Sequence, residues 1–263
     1  MCCFSVGTPV GLIARLFGQR VHVSKTNLFA RMVAPGVQAL AYSMDLDAAN
    51  EVAMILPLPV ALGSGDDALT FVDLSKVPQM FEDLNFLFEV MQTRASKGGF
   101  PLRLGLPTLA VHRVGAFIAS YVPTRVDFDR LDARFHLPKA LFDAVPHYED
   151  YGFAVFQLVP GKVSVHPMAM TFATRAPTEL FFPTVHLHDG RFHKAAKFDH
   201  ALYYQTPRCP VSAHPDPIAS FDGDTMGWML PRNSYEGLVA TTETMIRRRL
   251  RGKLPNCDTW VAA

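Results

Sequence analysis

The chain has 263 residues, of which 49% are hydrophobic and 19% are charged, a composition that excludes a disordered chain and suits one dense core. Because 25 Lys and Arg oppose 24 Asp and Glu, for a formal net charge of +1, no overall field attracts nucleic acid or an anionic membrane. We therefore expect a single folded domain over residues 1–263, with neither nucleic acid nor a membrane as a partner.

Strands are expected in the first part of the chain, over residues 20–60. Runs of β-branched and aromatic residues of strand length are separated by Gly and Pro, and an Ala-Pro-Gly turn at 34–36 joins two of them. Pro57 and Pro59 cannot donate to a ladder, so the last of these strands should end there or lie at a sheet edge.

The clearest helical signal covers residues 78–95, where apolar side chains recur at helical spacing. This pattern predicts an amphipathic helix that covers a sheet and stops before Gly98-Gly99. A shorter helix is expected to begin at Pro138. The apolar positions of the longer helix are Phe81, Leu84, Phe88 and Met91.

The second half of the chain predicts strand pairs and a last helix. Residues 152–175 predict a hairpin with its turn at 159–162, and another strand pair is expected around Asp189-Gly190. Residues 235–254 predict a second amphipathic helix, whose basic end complements the helix dipole. Many strands and two or three helices indicate an α+β fold, with a mostly antiparallel β-sheet core covered by the helices.

Four of the ten histidines lie close together in the segment 186–200. If its start is a strand, His186 and His188 project from the same face, at the spacing that lets two imidazoles bind one ion. A turn would return the chain alongside, so that His200, or else His193, supplies a third ligand. His166 on the preceding strand could reach the same site. The alternative is that these histidines only decorate a surface.

The cysteines Cys2 and Cys3 suggest two chemistries at the start of the chain. As soft thiolates they could complete a zinc or copper site with the histidines. Alternatively, removal of Met1 would leave Cys2 as an N-terminal nucleophile, with its own α-amine as the general base. A third interpretation makes the pair small apolar residues on a buried strand.

The N-terminal segment lacks the charged start, the apolar run and the cleavage site of a secretory signal. No run reaches the roughly 18 apolar residues that cross a bilayer. These features predict a cytoplasmic protein, in which thiols stay reduced. The cysteines are therefore interpreted as thiols or ligands rather than as a disulfide framework.

The opening "MCCFS … TNLFARMVAPGVQALAYSMD" resembles the start of N-terminal-nucleophile cysteine hydrolases of the bile-salt hydrolase and penicillin acylase type. Those proteins begin Met-Cys and continue to a Gly-Arg-Asn-Met-Asp motif. The resemblance implies amide hydrolysis by Cys2, with Arg31 in the place of the motif's arginine. No aspartate follows Arg31 at the family's spacing.

A wider resemblance spans most of the chain. The segments "MCCFS", "AMILPLPV", "VHPMAM" and "FFPTVHLHDG … FDHALYYQ" together resemble bacterial proteins grouped as a domain of unknown function. Members of a related group are often exported. This resemblance implies no activity.

The sequence therefore predicts a metal-binding protein whose site joins His186, His188 and His200 with a thiol, foremost that of Cys2. Nitrogen and sulfur ligands fit zinc or copper better than magnesium or calcium. An open coordination position would make the protein a hydrolase or oxidoreductase acting on a small-molecule substrate. Two alternatives stay open, an N-terminal-nucleophile amidohydrolase that uses Cys2 and a non-enzymatic interaction protein.

Overall fold

The computed structural model describes residues 2–6, 21–49, 51–96, 117–131, 146–187, 192–207, 218–221, 230 and 235–263. These residues form fourteen strands and one α-helix. The elements are β1 (Cys2–Val6), β2 (His22–Ala34), β3 (Val37–Ala48), β4 (Val52–Leu58), β5 (Leu69–Val72), α1 (Met80–Ser96), β6 (Phe117–Val122), β7 (Gly152–Leu158), β8 (Gly161–Ala173), β9 (Glu179–Phe182), β10 (His186–Leu187), β11 (Ala195–Gln205), β12 (Ile218–Phe221), β13 (Met245–Pro255) and β14 (Thr259–Ala262).

Two sheets carry the fold. One has five strands in the order β10-β1-β4-β7-β6, and the other has seven in the order β12-β13-β11-β2-β3-β8-β5. Strands β9 and β14 form a two-stranded ribbon. Strand β1 runs parallel to β10, and β11 runs parallel to β2, whereas the other neighbours are antiparallel.

Both sheets are covered on both faces. The largest apolar cluster lies between them and includes Tyr42 of β3 and Phe156 of β7. A second cluster packs Phe88 of α1 against Tyr203 of β11, on the other face of the seven-stranded sheet. A third covers the outer face of the five-stranded sheet around Phe153. Strand β4 is buried along its whole length. Its residues are all apolar because a strand that is buried on both faces needs an apolar side chain at every position.

The expected α+β class is wrong, because the described chain is mostly β-sheet. The helix expected over residues 78–95 is present as α1, on one face of a two-sheet sandwich. The second helix, expected over residues 235–254, is not formed, since its basic end is strand β13, paired with β11 and β12. The ladders with two neighbouring strands outweigh the local helical pattern. The helix expected at Pro138 begins outside the described residues.

The hairpin expected over residues 152–175 is also wrong. The turn after Leu158 is present, but β7 belongs to the five-stranded sheet and β8 to the seven-stranded one. The chain therefore arches between sheets at this point. The turn at residues 34–36 does close a true hairpin of β2 and β3, and Gly36 adopts a φ of 70° there, which glycine tolerates without steric cost.

Two half-buried tyrosines make the fold sensitive to alkaline pH. Burial raises the pKa of the Tyr151 hydroxyl to about 12; the charge of Asp258 acts in the same direction and that of Arg175 opposes it. Burial likewise raises the pKa of Tyr121 to about 12. The unfolded chain loses these protons at about pH 10, so the stability they contribute is complete below about pH 10 and is lost as the pH rises toward about 12.

We therefore expect Tyr151→Phe, which keeps the ring, to lower the dependence of stability on pH between about pH 10 and 12. Urea unfolding at a series of alkaline pH values measures this slope. Parallel curves for the variant and the natural chain would contradict the assignment.

Candidate functional site

His186 and His200 meet across the gap between the two sheets. His186 lies on β10, at the edge of the five-stranded sheet, and His200 lies on β11, between β13 and β2. Their Nε2 atoms are 3.0 Å apart, and the two rings cross at 74° with centroids 4.8 Å apart. Strands β10 and β11 belong to different sheets, so it is the packing of the sheets that brings the two imidazoles together.

Phe198 fixes the orientation of both rings. It lies two positions before His200 on β11, so its side chain faces the same way. Its ring stacks on His186 at 4.5 Å and 28°, and it meets His200 edge-on at 5.2 Å and 88°. The two imidazoles and this phenyl ring form one aromatic cluster.

Asn256 holds the backbone around His186. Its Oδ1 accepts the His186 N–H at 2.7 Å, and its Nδ2 donates to the carbonyls of His186 and His193, each at 2.9 Å. Asn256 is 5% exposed, and the three hydrogen bonds are part-buried. One side chain thus links the short strand β10 to the chain that leads into β11.

Asp258 secures the residues just before β10. Its carboxylate accepts the N–H groups of Thr184 at 2.9 Å and Val185 at 3.1 Å, and it also accepts the hydroxyl of Tyr148. Charge-assisted bonds of this kind are stronger than bonds between neutral groups. The segment after β13 therefore holds the backbone of His186 through Asn256 and the two residues before it through Asp258.

The histidine pair opens into a cavity of about 770 Å³, a size typical of small-molecule sites. Much of its wall is formed by residues 21–24 and Thr26, at the start of β2, and by residues 195–200 of β11. His22 and His193 also line it, as do Asp199 and Arg251, whose charged groups are 4.0 Å apart. The cavity is therefore polar at the histidine end and joins both sheets.

Of the predicted metal ligands, the structure brings some to the His186–His200 pair and others not. His186 and His200 meet, and His193 lines the same cavity. His166 lies on β8 with its Nδ1 3.2 Å from the Pro167 carbonyl; burial lowers its pKa, and it is not among the residues of the cavity wall. His188 lies outside the described residues.

The N-terminal cysteines lie on the strand next to β10. In the parallel register of β1 and β10, Cys2 is opposite His186 and Cys3 is opposite Leu187. The backbone thus brings the start of the chain to the histidine pair. A thiol ligand from Cys2 or Cys3 stays a prediction.

Within the part of the chain that the structure describes, no three His, Cys, Asp or Glu side chains are grouped to hold a metal ion. The full ligand set expected from the sequence, together with its zinc or copper ion, therefore stays a prediction. No helix in this described part is long and apolar enough to span a membrane.

Sequence reasoning missed Phe198, Asn256 and Asp258. Strand alternation could have found Phe198, because it lies two positions from His200. Asn256 and Asp258 have no such local signal, since their partners lie about 70 residues away in the sequence.

In the described residues the architecture is a β-sandwich of two sheets with the helix α1 on one face, and it resembles that of baculovirus P35. The crystal structure of baculovirus P35 matches with a TM-score of 0.54 at 10% identity, over 94% of this chain and 98% of that one. A mutated baculovirus P35 after caspase cleavage matches with a TM-score of 0.51 at 12% identity, over 91% and 99%. No family model matches the chain, and no curated protein matches it significantly.

Proposed function

We propose that this chain is a non-enzymatic interaction protein whose partner is a protease of the caspase type. The observation that carries the proposal is the extent of the likeness to baculovirus P35, which spans nearly the whole of both chains. The second of these structures is a mutated P35 that a caspase has cleaved. The shared architecture therefore supports engagement of a protease by the folded domain.

An exposed apolar edge supports a protein partner. Strand β6 ends the five-stranded sheet in the described order, and Ile118 on this strand is 51% exposed. Val126, in a 3-10 turn that contacts β6, is 82% exposed. Terminal strands offer backbone groups to an extended peptide, and apolar side chains beside them add contact area. We place the protease contact at this edge.

The test is incubation of the folded chain with active caspase-type proteases. We expect either a complex that survives gel filtration or a single cut, located by intact mass. Ile118→Lys should weaken the complex or slow the cut by about tenfold, because a charge would replace an apolar contact. Phe192→Lys, at an exposed position beside the histidine cavity instead, is the matched control and should change neither.

Two further controls make the result specific. Protease with a blocked active site should give no cut, and chain unfolded beforehand should be cut at several positions rather than one. Failure of every active protease tested to bind or cleave the folded chain would refute the proposal. Equal effects of Ile118→Lys and Phe192→Lys would refute the placement of the contact on β6.

The enzymatic expectations remain separate predictions. A small-molecule metalloenzyme needs more ligands than the two imidazoles that the described residues bring together. An N-terminal nucleophile at Cys2 needs a free α-amine, so an intact mass that retains Met1 excludes it.

A further inference from the structure

We infer that the His186–His200 pair is a binding site for a divalent transition metal ion, with copper(II) or nickel(II) the best fit. The inference rests on these two imidazoles and not on a complete set of ligands. Both rings line the same cavity, and their Nε2 atoms are 3.0 Å apart. This inference does not depend on the protease proposal. Either can fail without the other.

The distance between the nitrogens selects the kind of ion. A metal about 2.0–2.1 Å from each imidazole nitrogen, with the nitrogens 3.0 Å apart, subtends an angle of roughly 90–97°. Adjacent positions of a tetragonal site are about 90° apart, which is the geometry that copper(II) and nickel(II) favour with nitrogen and oxygen donors. A tetrahedral zinc site, with angles near 109°, would require the rings to separate by a few tenths of an ångström.

The ligands are held in place before any ion binds. His200 lies in a strand that is paired on both sides, and Asn256 bonds the backbone N–H and carbonyl of His186. Phe198 contacts both imidazoles. Ligands locked by packing and hydrogen bonds lose little entropy when they bind a metal.

The cavity supplies the remaining coordination positions. The imidazoles face a space of about 770 Å³, which has room for water and a small ligand. His193 and Asp199 also line this space and are of the donor types that copper(II) accepts. A metal ion on the pair would therefore be accessible from the cavity.

A neutral imidazole can also donate an N–H to another imidazole nitrogen at this distance. The experiment must therefore distinguish a hydrogen-bonded pair from a pair of ligands. Copper(II) chloride is titrated into the untagged full chain, with equilibrium dialysis for stoichiometry and electron paramagnetic resonance for the donor atoms. We expect one ion per chain and hyperfine splitting from at least two nitrogens.

The variants test the residues. His186→Ala and His200→Ala should each weaken copper(II) binding by about 100-fold or more, since even groups that only support a ligand are worth about 10–100-fold. The control is His147→Ala. The exposed ring of His147 packs on Tyr148 and does not line the cavity, so this variant should bind copper(II) as the natural chain does.

Circular dichroism checks that each variant folds. The spectrum of the natural chain decides the question even if a variant does not fold. No saturable copper(II) binding, no nitrogen splitting, or equal affinity in both variants and the natural chain would overturn the inference.

Discussion

Replacement of Asn256 by leucine should lower the free energy of unfolding by about 3 kcal/mol. The side chain of Asn256 makes three hydrogen bonds to backbone groups of His186 and His193, and leucine of similar size makes none. Each buried backbone group that loses its partner costs about 1–3 kcal/mol, and partial access of water keeps the sum near the lower figures. Urea unfolding measures the change, and the melting temperature should fall by about 6–12 °C.

Two variants sharpen this result. Asn256→Asp keeps an acceptor for the His186 N–H but sets a buried carboxylate oxygen against the carbonyls of His186 and His193, so it should regain none of the lost stability at neutral pH. Cys257→Ser, at the next and exposed position, should stay within about 0.5 kcal/mol of the natural chain. If Asn256→Leu were no worse than Cys257→Ser, the role of the amide would be disproved.

Replacement of Gln38 by methionine should also lower the free energy of unfolding, here by weakening the contact between β3 and β9. Gln38 is fully buried and joins β3 to β9, with its Nε2 donating to the Phe181 carbonyl at 2.8 Å and its Oε1 accepting the Phe181 N–H at 2.9 Å. Methionine keeps the volume but leaves both backbone groups buried without a bond. We expect a loss of about 2–4 kcal/mol, measured by urea unfolding.

Gln157→Met is the matched control for this prediction. Gln157 is half-buried near the end of β7 and donates to the Glu51 carboxylate at 2.9 Å in a solvent-exposed bond. Water can replace that bond, so the control should lose less than about 1 kcal/mol. Comparable losses for the two variants would show that Gln38 does not hold the ribbon of β9 and β14 to the main sheet.

The histidine site shows how far sequence reasoning reaches. The sequence pairs His186 and His200 as ligands on the assumption that a hairpin returns the chain alongside. The structure brings the two residues together, but β10 and β11 lie in different sheets. Alternation along a strand sets which face a side chain occupies. It does not set which sheet the strand joins.

The helix expected near the end of the chain also shows that a local pattern cannot predict distant partners. Residues 245–255 have basic and apolar residues that suit a helix end, yet they form β13 between β11 and β12. The register of that ladder places Arg247 opposite Tyr203, on the face that α1 covers, and its guanidinium packs 4.4 Å over the Phe88 ring. Such partners are distant in sequence, so a local pattern cannot anticipate them.

By itself the sequence determined the local elements: the helix α1, the hairpin at residues 34–36, and the end of β4 between Pro57 and Pro59. Only the tertiary structure decided that β7 and β8, and likewise β10 and β11, separate into opposing sheets. The reason is physical, since the period of a strand is a property of a few neighbouring residues. Which sheet a strand joins depends on burying both faces of each sheet at once. It also depends on contacts between distant segments, such as those that Asn256 and Asp258 make.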